Sequence, residues 1–283
     1  MGKCRYCGKP AGFFKKAHKH CEVVAAQKHR ERDNQRQRIS ELFESAIRGD
    51  IDVNGVFSEV ANYAASKSIK LDALPSLAAS AWEDSVQVAL EDDLLSEEEE
   101  KVLSELAEMF KLSKYQLDKN GAQTTLVKAA TLRDLMKGEI PQRIKVQGNL
   151  PFNFQKTEKL IWVFQDVSYF EQKKRTQYVG GSQGVSLRVA KGVYYRMGSF
   201  KGHKVESHET IHADTGLMGV TNKHIYFSGA TKSFRVRLDK IVSFEPFSDG
   251  IGIQRDAATA KPQQFKTGDG WFTYNLVMNA SQL

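Results

Sequence analysis

All three cysteines of this 283-residue chain fall within its first 21 positions. Cys4, Cys7, His18 and Cys21 read C-x2-C-x10-H-x2-C. Two thiolates separated by two residues can face one metal from a tight turn, and Gly8, Lys9 and Pro10 supply turn chemistry directly after the first pair. His18 and Cys21 lie three apart at the mouth of a helix-like run, so one helical turn brings both to the same side. Four N/S donors in two pairs predict a closed, structural Zn2+ site that leaves no position open for water and substrate. His20 stands as a rival to His18 for the fourth position. The competing account is three reduced thiols that merely pack. It leaves unexplained why every cysteine is gathered here.

With the thiols spent on metal, a disulfide framework is excluded and a reducing compartment expected. No run of about 18 apolar residues and no apolar leader segment occur, so a cytoplasmic protein is expected, with neither a membrane span nor a secretory signal. The net charge of +7 is unevenly spread. Residues 1–50 carry +6, residues 51–139 carry −8 and residues 140–283 carry +9. An acidic middle between basic ends predicts an α+β multidomain chain: a zinc hook (1–24), a basic helical connector (25–50), a helical bundle (51–139) and a β domain (140–283).

From Ala17 to Arg48 there is neither Gly nor Pro, and Ile39, Leu42, Phe43 and Ile47 form a helical stripe, so the hook runs into one long helix. Lys28, His29, Arg30, Arg32, Arg36 and Arg38 make its first half basic. That pattern suits a phosphate backbone, making nucleic acid an alternative partner, but no aromatic is interleaved and a solvated connector is the better account. Beyond it, Val56–Ile69, Pro75–Leu90, Glu97–Leu112 and Ala122–Met136 each show helical spacing. Ser96 and Glu99 form a capping box. Asp50, Asp52, Asn54 and Gly55 imitate the opening of a calcium loop, yet the twelfth position, which needs a bidentate Glu, is Ala61. A capped helix start is the better account. The stretch Asp92 to Glu99 resembles the signature of TerB-like helical domains, with Asp93 where that family usually has Gly. The resemblance implies Asp92 and Glu99 as positions to test for metal.

After Pro141 strands are expected, among them Ser186–Tyr195, Gly219–Phe227 and Phe234–Leu238. Trp271, Phe272, Asn275, Leu276 and Met278 are expected to line one face of a C-terminal helix that plugs a curled sheet. GLMGVTNKHIYF at 216–227, followed by RVRLDKIVSFEPFSDGIGI, resembles the core hairpin of bacterial PH-like and GRAM domains. That resemblance implies a PH-like β-barrel with a capping helix, in a non-enzymatic adaptor or regulatory protein whose partner is a protein or an anionic lipid. Lys173, Lys174, Arg175, Lys201 and Lys204 are the basic candidates for an anionic ligand.

One motif points elsewhere. His208, Glu209 and His212 match H-E-x-x-H, the zinc metallopeptidase pattern, in which one helical turn places both histidines on a zinc and Glu209 serves as general base. The neighbouring β-branched Val205, Thr210 and Ile211 predict a strand, where the two histidines would stand roughly 13 Å apart. His203 and His224 read as ordinary surface or turn residues. Gly180, Gly181, Ser182, Gln183 and Gly184 read as a hairpin loop, since no helix follows to cradle a phosphate.

Overall fold

The computed structural model describes the chain except residues 1, 13–14, 92–93, 180–181, 191–192, 201–202 and 258, and it gives no side-chain placement for 173–208. The chain divides into two compact units, Met1–Arg133 and Asp134–Leu283.

The first unit opens with a small hairpin, β1 (Gly2–Lys3) and β2 (Pro10–Gly12), and continues as α1 (Lys19–Ile47), α2 (Val53–Ser66), α3 (Leu74–Ala89), α4 (Glu97–Met109) and α5 (Lys114–Leu117). The spacing argument recovers the long helices, while α5, a single capped turn, is too short to show a period. The C-terminal half of α1 delivers Ile39, Leu42, Phe43 and Ala46 into the same core as Val56, Val60, Ala81, Trp82, Val86, Leu103 and Leu106. Trp82 is fully buried, and its indole N–H donates to the Leu103 carbonyl at 2.8 Å, so its burial leaves no orphan donor. Ser96 caps α4 as expected: its hydroxyl accepts from the Glu99 N–H at 3.1 Å while the Glu99 carboxylate accepts from the Ser96 N–H at 2.8 Å. Helix α6 (Ala122–Met136) spans the division between the units.

The second unit is built on β3 (Leu160–Val179), β4 (Ser182–Ala190), β5 (Val193–Phe200), β6 (His203–Thr221), β7 (His224–Gly229), β8 (Ser233–Arg237), β9 (Ile241–Phe247), β10 (Gly250–Arg255), β11 (Gln263–Lys266) and α7 (Gly270–Ala280). Seven strands form one antiparallel sheet in the order β8-β7-β6-β3-β11-β10-β9, and β4 pairs with β5 in a separate hairpin. The stretch expected as one strand over 186–195 is thus divided between β4 and β5.

β8 and β9 are the two edges of this sheet, yet only the 3-10 turn Leu238–Lys240 joins them. Seven strands laid flat would separate the edges by about 29 Å. The four steps from Arg237 to Ile241 reach at most about 14 Å. The sheet must therefore curl until its edges meet at this corner. The closed barrel expected from the sequence is nonetheless not what forms: among the described residues no ladder joins β8 to β9, and the 3-10 turn with its buried Leu238 stands between them.

Helix α7 packs against β9 and β10 and buries Phe272, Thr273, Leu276, Val277 and Ala280. Trp162 meets Phe272 edge-on at 4.8 Å. Trp271 does not join this face and is 64% exposed. At about 100° per residue Phe272, Leu276, Ala280, Thr273 and Val277 share one arc of the helix, and Trp271 falls on the opposite side. Gly270 lets the helix begin against the strand, since a Cβ there would stand 1.9 Å from the Phe247 carbonyl oxygen.

Candidate metal centre

The hairpin β1–β2 turns Cys4 inward. The Cys4 N–H donates to the Lys9 carbonyl at 2.8 Å and the Gly8 N–H donates to the Cys4 carbonyl at 2.8 Å, closing a tight loop around Cys7. Gly8 and Gly12 take positive φ, +71° and +95°, which a residue with a Cβ adopts only under strain. His18 is the N-cap of α1 and Cys21 lies in its first turn, so the helix start holds the second pair as the three-residue spacing predicts.

The four side chains converge. One ligand atom from each of Cys4, Cys7, His18 and Cys21 lies within 4.8 Å of the others. The Cys7 and Cys21 sulfurs stand 3.5 and 3.7 Å from His18 Nδ1. His18 Nε2 donates to the Pro10 carbonyl at 2.9 Å. This bond fixes the tautomer: with the hydrogen on Nε2, Nδ1 presents its lone pair to the sulfurs, as a histidine ligand must. It also settles which histidine belongs to the group, since His20 is exposed and is not among the four.

The thiols influence one another. Burial alone would raise Cys4, but the backbone N–H groups of His18, Tyr6 and Cys7 outweigh it and bring its pKa down to about 6. Cys21 is pushed up to about 11 by burial, then by its hydrogen bonds with Cys7 and Cys4 and their charge. Three sulfurs held this close cannot all ionise without a cation among them. The four side chains can hold a metal ion.

The other candidates fare differently. His208, Glu209 and His212 lie on strand β6, where Lys174 pairs with His208 and Lys173 with Glu209, so the helix that an H-E-x-x-H site needs is absent there. His212 instead donates to, or accepts from, the Thr215 hydroxyl at 2.9 Å and packs edge-on against Phe170. Asp52 is the N-cap of α2, accepting from the Gly55 N–H at 2.6 Å, which accounts for the calcium-like run. Glu99 serves the α4 cap, and Asp92 lies outside the described residues. The side chains of Lys173, Lys174, Arg175 and Lys204, together with Lys201, Gly180 and Gly181, also lie outside them, as does the His203 side chain; Ser182, Gln183 and Gly184 open β4. On the basic half of α1, Arg36 forms a two-bond pair with Asp84, Arg38 pairs with Glu41 and His29 with Asp33, which leaves less of its charge for a phosphate backbone.

His224 departs from the expectation of a surface residue: it is 3% exposed, and its Nδ1 donates to Glu158 at 2.8 Å. The Glu158 side chain is fully buried and also accepts from the Gln155 N–H and from the hydroxyls of Thr221 and Tyr226, at 2.8, 2.6 and 2.8 Å. Glu158 and His224 are 66 positions apart, so no local pattern announces them.

No protein-family model matches the chain, and a search of curated proteins finds no match either. Among the described residues no helix is long and apolar enough to cross a membrane.

Proposed function

We propose that this protein is a zinc-stabilised adaptor without chemistry of its own: a Cys3His zinc hook, a TerB-like helical module and a PH-like β unit that binds a protein or anionic partner. The observation that carries the reading is the four-donor cluster. Tetrahedral zinc, with Zn–S near 2.3 Å and Zn–N near 2.0–2.1 Å, implies edges of roughly 3.5 Å between sulfur and nitrogen. The sulfur–Nδ1 separations of 3.5 and 3.7 Å match that edge. A soft, thiolate-rich set of four favours zinc over calcium or magnesium, and a full protein shell suits structure rather than catalysis. The PH-like reading draws on the curled antiparallel sheet and on the C-terminal helix packed against it. The peptidase alternative loses its support with the motif on a strand.

Elemental analysis tests this directly. The full chain is expected to carry one zinc, and Cys7→Ser to lose it while the helices of the bundle persist by circular dichroism. Zinc retained in full by Cys7→Ser overturns the site; zinc retained with the fragment 140–283 returns the histidine pair to consideration.

A further inference from the structure

The second unit contains a cavity of about 520 Å³ lined by Gln155, Asn222, Lys223, His224, Arg237 and Asp239, with the end of the chain closing one side. That volume is within the range of small-molecule sites. His224 lines this cavity. Its ring is almost wholly buried and its Nδ1 hydrogen is committed to Glu158, so Nε2 is the ring nitrogen left for a ligand, and among the described residues it makes no hydrogen bond. Glu158 in turn is saturated by four donors and is not available to anything in the cavity. A histidine held by a buried carboxylate, with its far nitrogen facing a cavity, is oriented to meet a ligand.

The charges around it select the sign of that ligand. Arg237 forms two bonds with Asp239, at 2.9 and 2.6 Å, and its charge is matched there. Among the described residues Lys223 has only a neutral partner, the Thr157 hydroxyl at 2.7 Å, which leaves its charge uncompensated there. A cation entering the cavity would meet Lys223 and Arg237. An anion would meet the Lys223 ammonium and the Arg237 edge, donors suited to phosphate oxygens, while His224 Nε2, which keeps its lone pair because the hydrogen sits on Nδ1, would accept from the remaining hydroxyl of a phosphate monoanion. The volume exceeds that of a bare phosphate, so there is room for the body that carries it.

We propose that this cavity binds a phosphate monoester, with Lys223 as its principal donor, Arg237 at the rim and His224 Nε2 accepting from the phosphate hydroxyl. The inference deepens the binding role proposed for the β unit and rests on that role; it is independent of the zinc hook. The shared chemistry is a terminal phosphate, which a soluble metabolite or a phosphatidic acid headgroup can supply.

The test is titration of the full chain with glycerol 3-phosphate, read from the ring nitrogens of His224 by NMR, beside the same titration with sodium chloride at matched ionic strength. A saturable shift of Nε2 with the phosphate alone is expected, weakened about tenfold or more in Lys223→Met, a change at an exposed amine that leaves the Glu158–His224 pair in place. Absence of a shift, an equal shift with chloride, or one that Lys223→Met leaves unaltered overturns the proposal for a soluble ligand. Vesicles of phosphatidylcholine with and without phosphatidic acid form the second arm. Sedimentation that needs phosphatidic acid and is lost in Lys223→Met supports the cavity and names the lipid as its source. Sedimentation indifferent to Lys223→Met, with no response to glycerol 3-phosphate, sinks the cavity while leaving an anionic partner elsewhere on the β unit; failure in both arms removes the cavity and the anionic-partner reading together.

Discussion

Removing Glu158 should destabilise the β unit, and the hydrogen bonds around it set by how much. The carboxylate accepts from four donors, but three have somewhere else to go. The Thr221 hydroxyl also reaches the His224 carbonyl at 3.1 Å, the Tyr226 hydroxyl also reaches the Asn153 carbonyl at 3.2 Å, and the Gln155 backbone is exposed to water. Only the Nδ1–H of His224, on a side chain 4% exposed, is left stranded. One orphaned buried donor costs about 1–3 kcal/mol, and the space left by the side chain adds to it. Glu158→Ala is therefore expected to cost about 2–4 kcal/mol, below the upper range for breaking a buried ion pair. Glu158→Gln keeps an oxygen for Nδ1 and turns its amide toward the hydroxyls, which can accept, so it should cost only about 1 kcal/mol. Native-state amide exchange across β6 and β7 reads both values. A Glu158→Ala cost below about 1 kcal/mol, or a Glu158→Gln cost as large as that of Glu158→Ala, would refute this accounting. The acid dependence gives a second check. Burial works to raise the Glu158 pKa, but the Gln155 N–H, Thr221, Tyr226 and His224 together hold it below the ordinary glutamate value. The carboxylate's contribution is thus present above about pH 4.3 and is lost as the pH falls through its folded pKa, so the gap between the native chain and Glu158→Gln should narrow in acid.

Phe272→Ala should cost about 3–5 kcal/mol in the β unit, whereas Trp271→Ala should stay within about 0.5 kcal/mol; equal costs in denaturant titrations would contradict the assignment of the buried face. Ser96→Ala should remove about 1 kcal/mol by breaking the α4 capping box, seen as a lower thermal midpoint of the helical signal, and Ser96→Thr should retain most of it. Asp214 accepts from the N–H groups of Thr231, Lys232 and Thr215, which hold its carboxyl well below the usual aspartate range. Asp214→Asn should weaken the hairpin at neutral pH, and the difference should begin to narrow as the pH falls below the ordinary aspartate value and be lost only as it passes the lowered folded value; a difference that grows in acid would have the wrong sign.

What the sequence discloses depends on how far apart the interacting residues are. The hook is legible because its ligands must be chemically special and closely spaced, and the long helices because Val102, Leu103, Leu106, Met109 and Phe110 repeat a local period. The choice between His18 and His20 is not legible, since both lie within reach of Cys21; the Pro10 carbonyl, eight residues before His18, makes it. The hairpin 216–227 is readable because Val220 and Ile225 pair across a short turn in which the Thr221 hydroxyl accepts from the N–H groups of Lys223 and His224. Sheet closure is not, because it depends on β8 and β9 failing to pair after six other pairings have formed. The Glu158–His224 pair joins the segment before β3 to the first residue of β7, a contact of tertiary structure alone.

The hook and the bundle also differ in what can hold them together. The bundle core contains Trp82, Phe43, Leu103 and Leu106, large side chains whose burial supplies most of a domain's stability. The hook buries Cys4, Ala11 and Ala17, with Cys21 packed against them. Two of those four are themselves ligands, and the other two are alanines, so apolar burial cannot offset the ordering of the loop between β1 and α1. Nor can a disulfide take its place while keeping the group symmetric, since three cysteines always leave one over. A cation held there would supply what is missing: it would bond to the four donors and offset the charge of the thiolates. A metal held by the four would allow so short a segment to present a fixed surface at the head of α1, whose first half, nearly all exposed, lies between the hook at one end and the buried stripe from Ile39 onward at the other.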